Sequence, residues 1–599
     1  QNSQKKYTFA ENLFTSKIIR MINQIKTLVF LLPVFIFSCS ESNNELKELN
    51  EPKGLKELPA LSVNGEMNFE KSLFDIDPAV FRPILTGISL SSETTVKSVI
   101  GLPESFHPLY IGTTTFYIIY NHSKDSSYLD LGRALLDSIK YLPSKVETEN
   151  SIIHNYPFDH NGLKKNEWWS GMANSALSMA YLIGAEVYND TSYYTEAVKL
   201  LNGVVNHVND GGSRINHSSG GYWYCEYAWE GINEEDCYFV LNGFSFQQLC
   251  IKIFSIATGN ELVSQYYDRG KLTYSSIKEE YHYPTDRWNY YMLEPQTIEP
   301  VHYQVFDLML FYAISKLDQD AIYQNQIDRR QKALKDAFQL ELDKTGEQPK
   351  LIVAPLNRPH PYWIDCDPLT IVFKDENKVI KHVESIANPR NKNIPIIERG
   401  FISIDFDNSY HSYEIYSHRY DQSILLFKDE ISNIQKIEDG STTAVNYDLL
   451  RDGEKISDEN TVYFEKQDSL DLTKIEVSFK FDHPFNLIDN EFFGFDINSN
   501  INITSVHFIL TDTSGISATR YYVPQPKNST NLILLNTYGF SNMAAVDLAN
   551  IASLNVRFFT KSAEANETHF VEIGKLIGFT SKTSLKSFFE NNNFNFEES

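Results

Sequence analysis

The segment Trp223-Tyr-Cys-Glu-Tyr227 places a carboxyl group and a phenol at adjacent positions among aromatic residues. A carboxyl whose pKa is raised, or a phenol whose pKa is lowered, by burial and by its neighbours exchanges protons near neutral pH. Glu226 and Tyr227 are therefore of the types that acid–base chemistry needs. A second aromatic segment, Tyr238-Phe-Val-Leu-Asn-Gly-Phe244, follows after a loop.

Together these two segments resemble the catalytic, C-terminal domain of the D-glucuronyl C5-epimerase family. Members of that family carry a W-Y-x-E-Y segment, a short loop, and then F-V-L-N-G-F at the start of a helix. Three further segments agree with the family in order, namely Tyr156-Pro-Phe-Asp159, Trp168-Trp-Ser-Gly-Met-Ala173 and Tyr267-Asp-Arg-Gly270. The resemblance covers about residues 100 to 315.

The resemblance implies inversion of C5 in uronic acid residues of a polysaccharide, of the D-glucuronate to L-iduronate type. The C5 proton is α to a carboxylate, so a base must remove it on one face and a donor must return one on the other. On the family's pattern, Tyr227 is the proton donor or acceptor at C5 and Glu226 is its partner or a second acid–base group. The other interpretations are a cleft-wall tyrosine that stacks on sugar and a surface or salt-bridged carboxylate. No metal or cofactor is implied.

The second catalytic region departs from the family's Y-x-x-R and Y-H-x-x-H pattern. The corresponding stretches read Asp286-Arg-Trp-Asn-Tyr-Tyr291 and Pro300-Val-His-Tyr303. Tyr290, His302 and Tyr303 are therefore the candidates for the acid–base group on the opposite face of C5. Arg287 is a candidate for binding the substrate carboxylate.

The remaining candidate substrate contacts are polar or aromatic residues of the same motifs, namely Tyr156, Trp168, Trp169, Trp223, Tyr224 and Asn242. Core packing competes with sugar stacking for the tryptophans, and we assign at least one of them to the core. Asn242 is equally typical of a turn or helix cap.

Two other functions stay open. A polysaccharide lyase abstracts the same C5 proton and then eliminates at C4, and a glycan-binding lipoprotein would bind without catalysis. The loop acids Glu230, Glu234, Glu235 and Asp236 would repel a uronate unless they face outward or hold a cation. A net charge of −25 argues against a nucleic-acid partner. Nothing indicates an oligomeric state.

The elements that would position these residues change in character along the chain. Residues 71–330 show helical periodicity, as in Tyr128, Leu131, Leu135 and Ile139, with aromatic, Gly-rich loops between helices. Paired helices with long loops on one side predict an α/α toroid. After residue 345 a period of two predicts strands. We expect a multidomain protein whose toroid precedes a β-sandwich over 345–437, a linker over 438–460, and a jelly-roll resembling carbohydrate-binding modules over 461–585.

The N-terminal region predicts export. Met21 begins a short basic segment that leads into an apolar run, Thr27–Phe37. This run is too short to span a bilayer and has the length of a signal-peptide core. It ends at Ser38-Cys39, which resembles the lipobox of bacterial lipoproteins, so we expect a signal peptide over 21–39. Residues 40–70 then form a tether, and residues 1–20 are expected to be an upstream translation artefact.

Cys39 is accordingly the expected lipidation site, and the membrane of the cell envelope is the expected partner of the lipid. The protein would lie in the periplasm or at the cell surface. Cys225 and Cys237 are either bridged in such an oxidising compartment or buried as free thiols.

Overall fold

The structure is a computed structural model, which describes residues 57–85, 108–156, most of 167–353 and most of 368–584. Residues 157–166 and 283–287 are among those that it does not describe. The predicted signal peptide, Cys39 and most of the predicted tether lie outside the described residues. The described part of the tether, 57–70, is corrected, because Leu61 is buried and its N–H donates to Asn202 at 2.9 Å. Among the residues that are described, no helix is both long and apolar enough to cross a membrane.

The N-terminal half is helical. Its longer helices are α1 (Pro108–Asn121), α2 (Ser126–Ile139), α3 (Gly171–Tyr188), α4 (Thr191–Val205), α5 (Leu241–Thr258), α6 (Glu261–Ile277), α7 (Val301–Leu317) and α8 (Ala321–Phe338). Short helical turns are Leu73–Asp75, Pro78–Phe81, Arg82–Leu85, Val208–Asp210, Glu234–Asp236, Lys278–Tyr281 and Ile431–Asn433. Asp, Asn and Ser side chains cap several of these helices, as Ser170 caps α3 by accepting from the N–H of Ala173.

The odd-numbered helices form an inner set. Neighbouring members of the series α1, α3, α5 and α7 pack against one another, and the one-turn helix Arg82–Leu85 contacts both α7 and α1. Nearly every residue of α3 and α5 is buried, as expected of a helix surrounded by protein. Gly112 lets α1 approach α3 closely, because a Cβ there would lie 2.8 Å from the backbone of Ala176.

The even-numbered helices form an outer set. Helix α2 packs on α1, α4 on α3, α6 on α5, and α8 on α7. Helices α2 and α6 bury only some of their residues, so each has one apolar face and one face toward water. Consecutive helices are thus paired as inner and outer members.

Short strands connect the helices in this half. One antiparallel sheet has the order Lys145–Glu147, Ile152–Tyr156, Trp168–Ser170, Tyr227–Ala228. Two hairpins pair Arg214–Asn216 with Tyr222–Tyr224, and Tyr290–Leu293 with Gln296–Ile298. The two hairpins lie in segments between helices that were expected to be aromatic loops.

The C-terminal half consists of sheets. Two four-stranded sheets come first, in the orders Ile402–Asp405, Lys350–Val353, Glu341–Asp343, Gln435–Ile437 and Ile380–Ile386, Leu369–Lys374, Ser412–Arg419, Gln422–Glu430. One six-stranded sheet follows the order Thr442–Ala444, Ile577–Phe579, Phe492–Ser499, Thr568–Ile573, Thr461–Glu465, with Asn531–Asn536 also paired to Phe492–Ser499. The other follows the order Glu454–Lys455, Tyr447–Arg451, Thr473–Phe485, Ile551–Thr560, Ile503–Asp512, Ser517–Tyr522.

A helical N-terminal part followed by many sheets agrees with the predicted change of period. The predicted linker over 438–460 is corrected, because strands occupy much of it. Thr442–Ala444 pairs with Ile577–Phe579, and Tyr447–Arg451 pairs with Thr473–Phe485. Backbone hydrogen bonds to strands that are distant in the sequence hold these polar segments in place. Their own composition therefore did not indicate that they form strands.

Candidate active site

Two adjoining strands position the Glu-Tyr pair. In the antiparallel register, Ser170 lies opposite Tyr227 and Trp169 lies opposite Ala228. The N–H of Gly171, the first residue of α3, donates to the carbonyl of Glu226 at 3.2 Å. The backbone of the pair is thus fixed at the N-terminal end of an inner helix.

The carboxyl group of Glu226 is partly shielded from solvent. The side chain is only partly exposed, and its Oε2 atom is buried with no hydrogen-bond partner among the described residues. Gly243, in the first turn of α5, provides the space, because a Cβ there would lie 2.3 Å from Oε2. Burial raises the pKa of Glu226 to about 7; a hydrogen bond from Tyr227 opposes this shift and the charge of Asp307 adds to it.

Tyr227 lies between the carboxyl group and a second tyrosine. Burial raises the pKa of its phenol well above the usual value, and the neighbouring charge of Glu226 raises it further. Hydrogen bonds join Tyr227 to Tyr291 and to Glu226. Because a carboxylate can only accept, the phenol of Tyr227 donates to Glu226, and the oxygen of Tyr227 can accept from Tyr291. The result is a short chain of proton carriers that ends on Glu226.

Aromatic rings surround this chain. Trp168 meets the ring of Tyr227 edge-on at 5.3 Å, and Tyr238 does so at 6.4 Å. Tyr303, in the first turn of α7, stacks on Tyr291 with ring centroids 5.0 Å apart. The first turns of α3 and α5 therefore contact the Glu226–Tyr227 pair, and the first turn of α7 reaches it through Tyr291.

Tyr291 is the residue that the sequence analysis missed. The motif comparison favoured its neighbour Tyr290, which is buried at 4% exposure, whereas Tyr291 is the member of the pair that bonds to Tyr227. The available signal was strand alternation, since adjacent residues of a strand face opposite sides. A bulge between Tyr290 and Met292 obscures this alternation.

A buried ionic network lies behind the site. The guanidinium of Arg330 donates to Asp307 at 2.8 Å and lies 3.4 Å from Glu299, and all three side chains are fully buried. Burial raises the pKa of both carboxyls, and for Glu299 a hydrogen bond to Asp307 raises it further. Arg330 thus faces both buried carboxyls, which are also hydrogen-bonded to each other.

Several predicted substrate contacts lie in the core instead. Trp223 is fully buried and stacks on Phe244 at 3.9 Å. Tyr224 is fully buried and donates to the carbonyl of Tyr266 at 2.7 Å. Trp169 is buried and donates to the carbonyl of Gly212 at 2.9 Å. The fully buried Trp223 and Tyr224 offer no surface to a ligand, because packing with α5 and α6 takes up their rings.

The other predicted residues are placed as follows. Asn242 is buried in the first turn of α5, and its Oδ1 accepts from the N–H of Gly243 at 2.7 Å, which fits the turn role. Tyr156 is buried and stacks on Trp168 at 4.5 Å. Arg287 and the side chain of His302 lie outside the described residues.

The acidic loop after Tyr227 is partly exposed to solvent. Glu230 and Glu235 are exposed, and Glu234 accepts hydrogen bonds from the backbone N–H and the hydroxyl of Ser218. Glu234 also lies 3.4 Å from His217. In the part of the chain that the structure describes, no group of three or more His, Cys, Asp or Glu side chains is arranged to hold a metal ion.

Comparison with known protein families gives a match within the helical half of the chain. Residues 147–332 match the family model described as D-glucuronyl C5-epimerase C-terminus. This confirms the resemblance predicted from the motifs, and the matched range contains Glu226, Tyr227, Tyr291 and Tyr303. No curated protein matches the chain.

Three solved structures show limited similarity. PfGH50B is 14% identical over 24% of this chain and 24% of its own length, with a TM-score of 0.18. The family 11 carbohydrate-binding module from Clostridium thermocellum, in complex with a β-1,3-1,4-mixed-linked tetrasaccharide, is 14% identical over 23% of this chain and 98% of its own, with a TM-score of 0.15. Heparinase III is 9% identical over 86% of this chain and 94% of its own, with a TM-score of 0.28.

Proposed function

We propose that the protein is a C5-epimerase that acts on uronic acid residues within a polysaccharide. The observation that carries the proposal is the Glu226–Tyr227 pair, which lies inside the range that matches the epimerase family. Its carboxyl group has a pKa of about 7 and accepts a hydrogen bond from a phenol that stays protonated at that pH. A general base works best when its pKa lies near the operating pH.

In the proposed reaction, the phenolic oxygen of Tyr227 takes the C5 proton of the sugar. The phenol's own proton moves along the existing hydrogen bond to the Glu226 carboxylate, so the pair gains one proton in total. The C5–H bonding electrons pass into the substrate's carboxylate group as it becomes an enediolate. Return of a proton to the opposite face of C5 then gives the inverted sugar.

We assign proton transfer on the opposite face of C5 to Tyr303, and its neighbour His302 is the other candidate for this role. Tyr303 stacks on Tyr291 and lies in the first turn of α7. Negative charge that develops on the substrate carboxylate would be stabilised by the N-terminal ends of α3, α5 and α7, whose partial positive charges favour anions. Arg287 is the proposed ion-pair partner of that carboxylate.

We also propose a specific architecture. The order α1, α3, α5, α7 and Arg82–Leu85, returning to α1, describes a closed ring of inner helices covered by outer partners. This supports an α/α toroid with the site at the mouth formed by the inner helices' N-terminal ends. The two four-stranded sheets are proposed to form one β-sandwich and the two six-stranded sheets a jelly-roll-like module that binds glycan.

A polysaccharide lyase is the second candidate. One observation favours it: Tyr227 and Tyr291 are hydrogen-bonded to each other and so stand together, rather than on opposite sides of a sugar. Proton abstraction from one face of C5, followed by elimination at C4, would need only these two tyrosines on one side of the sugar.

The test is a product assay with a panel of uronate polymers. An epimerase changes the ratio of the two C5 epimers in the hydrolysed product and leaves chain length unchanged. A lyase shortens the chain and produces the ultraviolet absorbance of an unsaturated uronate. Binding of a polymer with neither change would instead identify a non-catalytic glycan-binding protein.

We further propose that the chain is a lipoprotein of the cell envelope, acylated at Cys39. Cys39→Ala should release the protein from the membrane fraction and abolish fatty-acid labelling. This proposal would be overturned if the variant still fractionated with membranes and the parent protein carried no fatty-acid label.

A further inference from the structure

Two cysteine side chains meet beside the candidate site. The sulfur atoms of Cys225 and Cys237 are 3.5 Å apart, at the contact distance of two thiols. Both residues are buried, at 2% and 1% exposure. Cys225 directly precedes Glu226, and Cys237 directly precedes Tyr238, whose ring packs against Tyr227.

We infer that Cys225 and Cys237 form a disulfide bond that closes the loop between the two site motifs. The two positions are 12 residues apart, and the loop they enclose contains Glu226, Tyr227 and the acidic turn Glu234–Asp236. Bond formation requires the sulfurs to approach to about 2.05 Å. From the present 3.5 Å contact, the sulfurs must therefore approach by about 1.5 Å.

The reaction is thiol–disulfide exchange with an oxidised dithiol protein as the acceptor. One cysteine thiolate attacks a sulfur of the acceptor's disulfide and forms a mixed disulfide. The other thiolate then displaces the acceptor, which leaves as a dithiol. The two thiols of this chain lose two protons and two electrons, and the acceptor gains them.

The burial of the two thiols determines at which stage of folding this exchange occurs. Burial raises the pKa of the Cys225 thiol well above its usual value, and the adjoining Cys237 thiol raises it further. Because the thiolate is the attacking species, the folded reduced pair reacts slowly. The bond therefore forms while the chain folds, before the loop covers the sulfurs.

The bond would make the site more rigid. Phe239, two residues after Cys237, has φ of +50°, a left-handed conformation that costs energy for a bulky residue. Its carbonyl accepts a hydrogen bond from Tyr281 at 2.6 Å. A covalent link at Cys237 would help to hold this strained segment, and with it Tyr238, against Tyr227.

The first test is differential cysteine labelling of the full chain, exported to an oxidising compartment. The protein is denatured with one alkylating reagent, then reduced and treated with a second, and the labelled peptides are identified by mass spectrometry. We expect the second label on Cys225 and Cys237 and the first label on Cys250, which is buried in α5. The first label on Cys225 and Cys237 as well as on Cys250 would overturn the inference.

The second test uses matched variants in thermal unfolding. Cys225→Ala and Cys237→Ala should each lower Tm by on the order of 5–10 °C, because each substitution removes a disulfide that closes a short loop. A reductant should lower the Tm of the parent and of the Cys250→Ala control by a similar amount and leave the first two variants unchanged. A parent whose Tm does not respond to reductant would contradict the bond. This result is independent of whether the protein is an epimerase.

Discussion

At the residue scale, the carboxyl group of Glu226 makes folding stability depend on pH. Its pKa rises from 4.5 to about 7 on folding. Between these values the folded state binds more protons than the unfolded state, so stability falls as the pH rises through this window. We expect Glu226→Gln to raise Tm at pH 8 by on the order of a few degrees and to leave it unchanged at pH 4.

Differential scanning calorimetry at the two pH values measures this effect. Glu230→Gln is the matched control, because Glu230 is an exposed glutamate of the same loop region. Equal stabilisation of the Glu226 variant at pH 4 and pH 8 would contradict a raised pKa at this carboxyl.

The two halves of the site differed in how far the sequence could predict them. Glu226 and Tyr227 are adjacent in one motif, so a short pattern found them. Tyr291 reaches Tyr227 from a hairpin 64 positions later, and its identity depends on which side of a bulged strand it occupies. Arg330, Glu299 and Asp307 come together only through the packing of α7 and α8.

At the scale of elements, helices with strong periodicity were predicted well. Residues 71–330 were expected to be helical, and α3 spans Gly171–Tyr188 within them, because every turn of that segment is apolar. Helix α8 lies partly beyond the predicted helical region, which ended at residue 330, since its many polar residues weaken the apolar pattern. The strand Thr442–Ala444 was missed because its stability comes from pairing with Ile577–Phe579.

The contact of α5 with Glu226 depends on Gly243. We expect Gly243→Ala to lower activity by at least about tenfold, because its Cβ would lie 2.3 Å from Oε2 and displace the carboxyl group. Helix propensity alone would favour this change by about 0.5–1 kcal/mol, so the protein should still fold. Kinetic assay beside circular dichroism separates the two effects.

Gly346→Ala is the control for that substitution, since the nearest atom to a Cβ at Gly346 is 3.9 Å away. Full activity of the Gly243 variant would show that the position of the Glu226 side chain is not critical.

The buried network between α7 and α8 makes a separate prediction. Arg330→Met should reduce the free energy of unfolding by about 3–5 kcal/mol, because it leaves Asp307 and Glu299 buried without their cation. On the same helix, Lys335→Met should cost no more than about 1 kcal/mol, since Lys335 is 37% exposed in its ion pair with Asp429. Denaturant titration compares them, and equal costs would refute a structural role for the buried network.

At the scale of the whole molecule, the net charge of −25 opposes a polyanionic substrate. Raising the ionic strength from roughly 10 mM to 150 mM shortens the Debye length from about 30 Å to about 8 Å. We therefore expect KM for a uronate polymer to fall severalfold over this range. Replacing Glu230 and Glu235, the exposed acids of the loop, by Gln should weaken the effect. A KM that rises steeply with salt would instead indicate a dominant basic binding groove.

Exchange at C5 in deuterated water tests the proposed chemistry most directly. With a uronate polymer as substrate, the parent should replace the C5 proton by deuterium, seen as loss of that proton's NMR signal, without forming an unsaturated product. Tyr227→Phe should slow the exchange by about 10²–10⁴-fold, whereas Tyr141→Phe, at a tyrosine that is 84% exposed, should not change it. Unslowed exchange in Tyr227→Phe, or an unsaturated product from the parent with no deuterium at C5, would contradict the account.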